Sequence, residues 1–394
     1  MSDIGFITLA LLLALFGAEV AVKFKYPRVI GQLVVSLFLG LPLVINWLGV
    51  GETPEVIKTL SELGVIFLLL LTGFELNVKE FTKNGRESLI IAVFAAMVPF
   101  VLGLSLAFWF GYGLRTGIVL GACMSVTAEG TKVALLLEMG KIKTRLASIM
   151  LGAGILDDIF EIFFLALIIF FAHHQTPGEA LSIWPAAGKI LFFGLAVYAT
   201  FQFLPLLMSK LQKERDREIP LLTTMIIVGL VFALLSEFAG TGAILGAFIA
   251  GIMLQESLFS EKRREEESKS LKLFVFAFII PFFFFNIGLH FNFESLIDAP
   301  QLTISVVLVA MVGKILGTLL TKPFVNLTWQ QLHLVGWGMN SRGVMELVLA
   351  QLALESGLID QDLYSAIVFM AIITTVMFPF VFKRMIGKNP QIMD

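Results

Sequence analysis

Apolar residues run through this chain in long blocks separated by short charged clusters, and block length is the first informative quantity. A helix rising about 1.5 Å per residue needs about 20 apolar residues to cross a hydrocarbon layer about 30 Å thick. Thirteen windows approach or exceed that length, at 4–22, 29–47, 57–76, 88–110, 114–138, 144–171, 184–207, 218–236, 241–256, 270–290, 301–320, 331–356 and 361–382. The ninth is short and rich in glycine, and only Phe238 to Gly240 parts it from the eighth. The pattern predicts an all-α polytopic membrane protein with 13 transmembrane helices. No charged leader or small-residue cleavage site accompanies Ile4 to Val22, so that block is expected to be a retained helix and not a signal peptide.

The placement of charge tests this segmentation, because Lys and Arg gather in cytoplasmic loops. Alternate loops carry Lys23, Lys25 and Arg28; Lys79, Lys83 and Arg86; Lys141, Lys143 and Arg145; Lys210, Lys213, Arg215 and Arg217; Lys262, Arg263, Arg264, Lys269 and Lys272; Lys322; and Lys383, Arg384 and Lys388, which is 22 of the 28 basic residues. The opposite loops have only Lys58 and Arg115, and Lys132, Lys189, Lys314 and Arg342 fall inside predicted spans. A wrong span count mixes the two sides. The bias therefore predicts a multi-pass protein of the cell membrane with its N-terminus outside and its C-terminus cytoplasmic.

The pattern also repeats. Gly31-Gln-Leu-Val-Val-Ser-Leu-Phe-Leu-Gly40 in span 2 echoes Gly242-Ala-Ile-Leu-Gly-Ala-Phe-Ile-Ala-Gly251 in span 9, and Leu70–Asn77 echoes Phe284–Asn292 in span 10. Both matches lie seven spans apart, and an odd offset makes the two copies cross in opposite directions, the inverted-repeat construction of many secondary transporters. Spans 1–6 and 8–13 are the expected halves, with span 7 joining them. Glycine ladders also arise from ordinary close helix packing, which is the competing explanation.

Composition narrows the class further. Of 394 residues, 58% are hydrophobic and 15% charged, against about 45–50% and about 25% in ordinary soluble domains, and mean hydropathy is +0.92. A net charge of −2 offers no basic excess for nucleic acid. The single cysteine, Cys123, excludes an intrachain disulfide framework and a multi-thiolate metal site. No nucleophile triad, phosphate loop or metal cluster is visible, so neither an enzyme nor a cofactor is expected.

Against this background, ionisable residues inside spans carry information. Span 6 reads Gly152-Ala-Gly-Ile-Leu-Asp157-Asp158-Ile-Phe-Glu161. A carboxylate at mid-membrane costs about 2.5–3.5 kcal/mol on insertion scales, so such residues face a cavity and bind something. Helix neighbours point about 100° apart, and the pair can serve two partners. Thr144 lies thirteen residues before Asp157 and Phe171 thirteen after Asp158, which argues against an Asp-Asp cap at a helix end. Lys314 in span 11 either snorkels toward the interface near Lys322 or is a buried cation paired with a buried carboxylate.

Span 5 is interrupted at Ser125-Val-Thr127-Ala-Glu129-Gly130, and span 12, seven spans later, at Gly336-Trp-Gly-Met-Asn340-Ser341-Arg342-Gly343. Polar, glycine-rich breaks at corresponding places in two halves are the best sequence pointer to a transporter's binding site, because unwound backbone supplies carbonyls and half-helix ends supply dipoles. A lone Ser or Thr in a span serves equally as interhelical glue. Glu129 with Lys132, and Arg342 with Glu346, are spaced i,i+3 and i,i+4, so each pair either neutralises itself on one helix face or, for Arg342, bridges the two breaks. Glu161, one turn from both aspartates, either widens the acidic site or pairs elsewhere.

These residues carry a resemblance. The chain resembles the membrane domain of the cation/proton antiporters, most closely the NapA-like sodium/proton antiporters and the membrane parts of Kef-type potassium efflux systems and plant cation/proton exchangers. The likeness rests on Pro27-Arg-Val-Ile-Gly31-Gln, the Asp157-Asp158 pair, Gly313-Lys314 and Gly338-Met-Asn-Ser-Arg342-Gly-Val-Met-Glu346. It implies a mobile core of spans 4–6 and 11–13 against a dimerising scaffold of spans 1–3 and 8–10. In residues, that means scaffold at 1–87 and 218–293, core at 88–171 and 294–394, and a linker helix within 172–217. It implies that Asp158 is the ion-binding, proton-exchanging carboxylate, that Asp157 pairs with Lys314, and that Thr127 and neighbouring backbone, including Ser125, are auxiliary ligands. Two departures stand out: Glu129, where the family more often has an uncharged residue, and the third acid, Glu161. The chain ends soon after span 13, so no regulation by an appended nucleotide-binding domain is expected.

The expected function is electrogenic antiport of protons against a monovalent cation, sodium or else lithium or potassium, by a homodimer in lipid. Rival expectations are a Kef-type potassium efflux pathway, which does not always move protons counter to the cation, and a sodium-coupled organic-anion symporter, which needs a roomy cavity and no Lys314.

Overall fold

A computed structural model of the chain describes residues 2–24, 26, 28–41, 44, 54–75, 85–173, 192, 194–200, 202–205, 218–240, 242–257 and 261–393. Every regular element among the described residues is helical, and none is a strand. In chain order they are α1 (Asp3–Lys23), α2 (Arg28–Leu37), α3 (Glu55–Glu75), α4 (Gly85–Trp109), α5 (Leu114–Ser125), α6 (Glu129–Glu138), α7 (Arg145–His173), α8 (Glu218–Phe238), α9 (Ala243–Ser257), α10 (Glu261–Phe274), α11 (Ile280–His290), α12 (Phe293–Asp298), α13 (Pro300–Leu320), α14 (Trp329–Gly338), α15 (Val344–Glu355) and α16 (Gln361–Lys388).

Seven helices among the described residues are long and apolar enough to cross a membrane. The 29-residue α7 is long enough too, but every stretch of it that spans includes Asp157, Asp158 and Glu161. The windows at 29–47 and 184–207 lie partly outside the described residues. The windows at 114–138 and 331–356 each fold as two half-helices, α5 with α6 and α14 with α15.

One region departs from the loop expected around Lys262 to Lys272. It folds as α10 and continues through a π-helical turn, Val275–Ile279, into α11. Glu265 and Lys269 stand i,i+4 in the favourable order, and α10 is tied down where Lys272 Nζ and the Ser268 hydroxyl both donate to Glu75 Oε1, at 2.7 and 2.6 Å. Charge pattern alone does not distinguish a solvated loop from a charged helix held at one end.

The chain divides into two compact units, one of Met1–Leu15, Ile45–Leu76 and His173–Leu289, the other of Phe16–Val44, Asn77–Ala172 and His290–Asp394. Within the first, α3 lies on α9 so closely that a side chain on Gly251 would collide with the Leu70 carbonyl, and one on Gly73 with that of Phe248. Small residues at the interface are how helices in lipid gain close van der Waals contact. Asn286 Nδ2 of α11 donates to Ser61 Oγ of α3 at 3.2 Å.

The second unit holds the two broken helices seen among the described residues, α5 with α6 and α14 with α15. α13 packs on α4 where Gly313 meets Pro99 and Gly317 meets the Phe94 carbonyl. α4 in turn packs on α5, Gly103 against Gly121. Beneath the breaks, Ala92, Leu136, Ala147, Met150, Val335 and Phe378 belong to one buried apolar cluster. The α6 and α15 half-helices end alike: Gly140 and Gly357 both have φ of 65°, a left-handed conformation that glycine adopts without a Cβ penalty. Their paired closing bonds also match, Lys141 N to Leu136 O at 2.9 Å with Gly140 N to Leu137 O at 3.0 Å, and Leu358 N to Ala353 O at 2.8 Å with Gly357 N to Leu354 O at 2.9 Å.

Candidate functional site: two crossed breaks and a buried lysine

The breaks are short runs of backbone without helical hydrogen bonding, and such groups inside a membrane protein must find partners. Val126 and Ala128, flanking Thr127, are extended, and so is Gly343. The two runs partner each other. Ala128 N donates to Ser341 O at 2.8 Å, the Thr127 hydroxyl donates to Met339 O at 3.1 Å, and the Thr131 and Ser341 hydroxyls are hydrogen-bonded. Gly343 is required for this approach, because a Cβ there would stand 2.6 Å from that of Ala128.

Half-helix ends carry about half a unit charge, negative at the C-terminus and positive at the N-terminus. The C-terminal end of α5 meets two cations. Arg342 donates from Nη1 to Cys123 O at 2.9 Å and Val126 O at 2.7 Å, and from Nη2 to Met124 O at 2.6 Å. Lys314 Nζ donates to Ser125 O and to Thr127 Oγ1 at 2.7 Å. The guanidinium fork suits several acceptors at once, and the ammonium acts as a single point charge. The Ser125 hydroxyl points the other way, to Ala96 O of α4 at 2.8 Å, so Ser125 offers the site its carbonyl and not its side chain.

Asp157 completes the first cluster. Its oxygens lie 3.4 and 3.5 Å from Lys314 Nζ, and the two side chains are 1% and 0% exposed. Enclosed in this way, each charge depends on the other. Lys314 is thus fully enclosed beside the break rather than snorkelling. Asp158, one position on, is half-buried and turned off the Asp157 direction. Glu161 follows one turn later and is buried.

Two further ion pairs flank this centre. Glu129 opens α6 and receives Lys132 Nζ at 2.5 Å, while the same ammonium donates to Met150 O of α7 at 3.2 Å and lies 3.5 Å from Met339 Sδ. The Glu129 carboxyl rests over Gly154, where any Cβ would overlap it. Glu346, in the first turn of α15, is fully buried with Oε2 3.9 Å from Arg342 Nε, and neither of its oxygens has a hydrogen-bond partner. Asn340 donates from Nδ2 to Met311 O at 3.2 Å and Gly336 O at 3.1 Å, closing α14 onto α13.

The structure therefore gathers Ser125, Thr127, Glu129, Asp157, Lys314, Asn340, Arg342 and Glu346 at one crossing, with Asp158 and Glu161 on the adjacent stretch of α7. Sequence reading missed the seat that Gly154 provides for Glu129 and the role of Met150 and Met339 around Lys132. The Gly152-Ala-Gly154 run before the aspartates was the available signal, since adjacent small residues on a span let something approach.

Among the described residues no three acids, histidines or cysteines converge into a metal-holding group. What the arrangement can do is hold one monovalent cation or protons on a few carboxylates, with a buried ammonium as alternative counter-ion.

Comparison with known proteins follows the same lines. Residues 7–387 match the family described as sodium/hydrogen exchanger, transmembrane. The chain is 29% identical over 387 residues to the Na(+)/H(+)-K(+) antiporter GerN of Bacillus cereus, covering 98% of this chain and 97% of that one. It is 31% identical over 410 residues to the high-affinity Na(+)/H(+) antiporter NhaS3 of Synechocystis, covering 92% and 85%. Its fold is similar to that of the sodium proton antiporter MjNhaP1 from Methanocaldococcus jannaschii at pH 8, with a TM-score of 0.65 at 17% identity over 98% of this chain and 96% of that one.

Proposed function

This chain belongs to the sodium/hydrogen exchanger family of cation/proton antiporters, and we propose that its exchange runs through the crossed breaks, with Asp158 as the carboxylate that binds cation and proton in turn. A cation on the Asp158 oxygens and a proton on the same oxygens exclude each other, and that exclusion couples the two fluxes. Asp157 is the counter-ion of Lys314, and Thr127 with the Ser125 carbonyl supplies auxiliary oxygens. Asn340, Arg342, Glu346 and Glu129 hold the crossing. The observation that carries this reading is the enclosed Lys314, which touches Asp157 and the unwound backbone of the first break at once.

The same contacts give the proposed stoichiometry. When the cation arrives, Asp158 releases its proton. Asp157 turns from Lys314 to the cation, and Lys314, unpaired in an enclosed place, releases a second proton, as a lysine can and an arginine cannot. Two protons leave as one cation enters, so each cycle moves one net charge and responds to voltage.

Around this site we place thirteen spans in inverted halves, a reading supported by the identical endings of α6 and α15. Residues 88–171 and 294–394 form the moving core, 1–87 and 218–293 the dimerising scaffold, and 172–217 the linker, with alternating access produced by core movement. The protein sits in the cell membrane as a homodimer, N-terminus outside. Sodium is the proposed cation, since the matched relatives are named for it; one is named for potassium as well.

The test is reconstitution into proteoliposomes with current recording and a panel of sodium, lithium and potassium. Sodium-driven proton movement with an associated current is expected. Proton movement without current leaves exchange one for one and Lys314 a structural partner only, and no cation-driven proton movement at all overturns the site.

A further inference from the structure

Glu161 takes no part in the exchange described above. On α7 the buried stripe runs through Asp157, Glu161, Phe164, Leu165 and Ile168, whereas Ile159, Phe163 and Phe170 are exposed on the other side. Glu161 therefore shares a face with Asp157 and stands three residues from Asp158, close to one helical turn. It is 4% exposed, and its Oε1 has no hydrogen-bond partner.

The direction of the carboxyl follows from its surroundings. It lies on the buried stripe, with Ile159 and Phe163 exposed on the opposite side, so the group faces the helices packed on α7 and not its exposed side. Three other acids at the crossing have cations beside them: Glu129 has Lys132 at 2.5 Å, Asp157 has Lys314 at 3.4 Å, and Glu346 has Arg342 at 3.9 Å. An enclosed carboxylate oxygen without a donor is completed by a cation.

Resting on the exchange reading above, we propose that Glu161 is a specificity-determining residue of the cation site, its Oε1 contacting the transported monovalent cation together with Asp158. Among the described residues no three acids converge, so two carboxylates of one helix share the ion, and hydroxyl, carbonyl or water oxygens fill its shell. Carboxylates are hard, strong-field oxygens, and field strength is one lever of selectivity among alkali ions. A second carboxylate therefore favours the smaller, more polarising sodium or lithium ion over potassium.

The experiment compares wild type, Glu161→Gln, Glu161→Asp and Asp158→Asn in proteoliposomes at fixed pH, measuring KM for sodium and for potassium. It also measures the rise in melting temperature that sodium produces in detergent, which needs no turnover. Glu161→Gln should raise KM for sodium about tenfold, the size of one lost charge-assisted contact. It should raise KM for potassium less, and it should remove most of the sodium-dependent thermal shift. Glu161→Asp, with its carboxylate shortened by one methylene, should restore part of the sodium affinity.

A purely structural glutamate lowers the melting temperature without sodium and leaves KM and the sodium/potassium ratio as they were, and that result overturns the proposal. Should Glu161→Gln fail to fold, Glu161→Asp decides: a changed ratio supports the proposal and a wild-type ratio ends it. Exchange that survives in Asp158→Asn removes the underlying site instead, which separates the two failures.

Discussion

The two breaks share a plan and are finished differently. At the first, four successive carbonyls at the end of α5, Cys123 to Val126, all receive cationic donors, three from Arg342 and one from Lys314. At the second, the end of α14 is closed by neutral groups, the Thr127 hydroxyl on Met339 O and the Asn340 amide on Gly336 O. A half-helix end carries about half a negative charge, so the first end is more than offset and the second is left negative. The first break holds one charge that is permanent and one that a proton can remove; these groups at the second hold neither. In the exchange proposed above, charge changes are confined to α5, Lys314 and the acids of α7, while the α14 end stays electrostatically fixed.

The sharpest way to break this comparison is Arg342→Gln. It leaves α5 carbonyls without donors and Glu346 without its cation, and removing one partner of a buried pair costs about 3–5 kcal/mol. Melting of the detergent-solubilised protein should drop steeply, and a small drop would mean the arginine cap is dispensable. Lys314→Gln comes next, at about 3 kcal/mol, because it takes the cation from Asp157 but the donor from one carbonyl instead of three. Its larger effect is on current: sodium-driven proton movement should lose its voltage response. An unchanged response assigns the second charge elsewhere.

A milder loss tests the flank of the first break. Gly154→Ala places a methyl group where the Glu129 carboxyl lies, and overpacking of this kind costs about 1–3 kcal/mol. Glu129→Ala in the same chain should return part of that loss, because it empties the seat, although it also strips Lys132 of its partner. Equal melting of the single and double variants would show that Glu129 does not depend on the seat. The smallest effect belongs to the second break, where Asn340→Ala removes neutral bonds and costs about 1 kcal/mol. If Asn340→Ala proves as damaging as Arg342→Gln, the two ends are equivalent and the asymmetry has no energetic content.

Much of this molecule was legible in its residues. Apolar block length gives the long helices, because one helix must satisfy its own backbone across lipid. Glycine and polar residues at 125–130 and 336–343 mark the breaks for the complementary reason. The aspartates of α7 declare themselves by their cost in that setting. What stayed hidden were contacts made by atoms common to all residues: no sequence signal says that Arg342 seeks the carbonyls of residues 123, 124 and 126, or that Lys314 takes that of Ser125. The helicity of 261–274 was hidden too, because it is held by Glu75, nearly 200 residues away. The place of Gly154 was hidden as well, because it emerges only once Glu129 lies across it.

The claim that exchange passes through the α7 aspartates is tested most directly by Asp158→Asn, which keeps size and polarity and removes the titrating group. Wild type in proteoliposomes should collapse an imposed pH gradient when sodium is added, and Asp158→Asn, melting as the wild type does, should leave the gradient standing. Sodium-driven proton flux retained in Asp158→Asn contradicts the account and puts the exchanging carboxylate elsewhere.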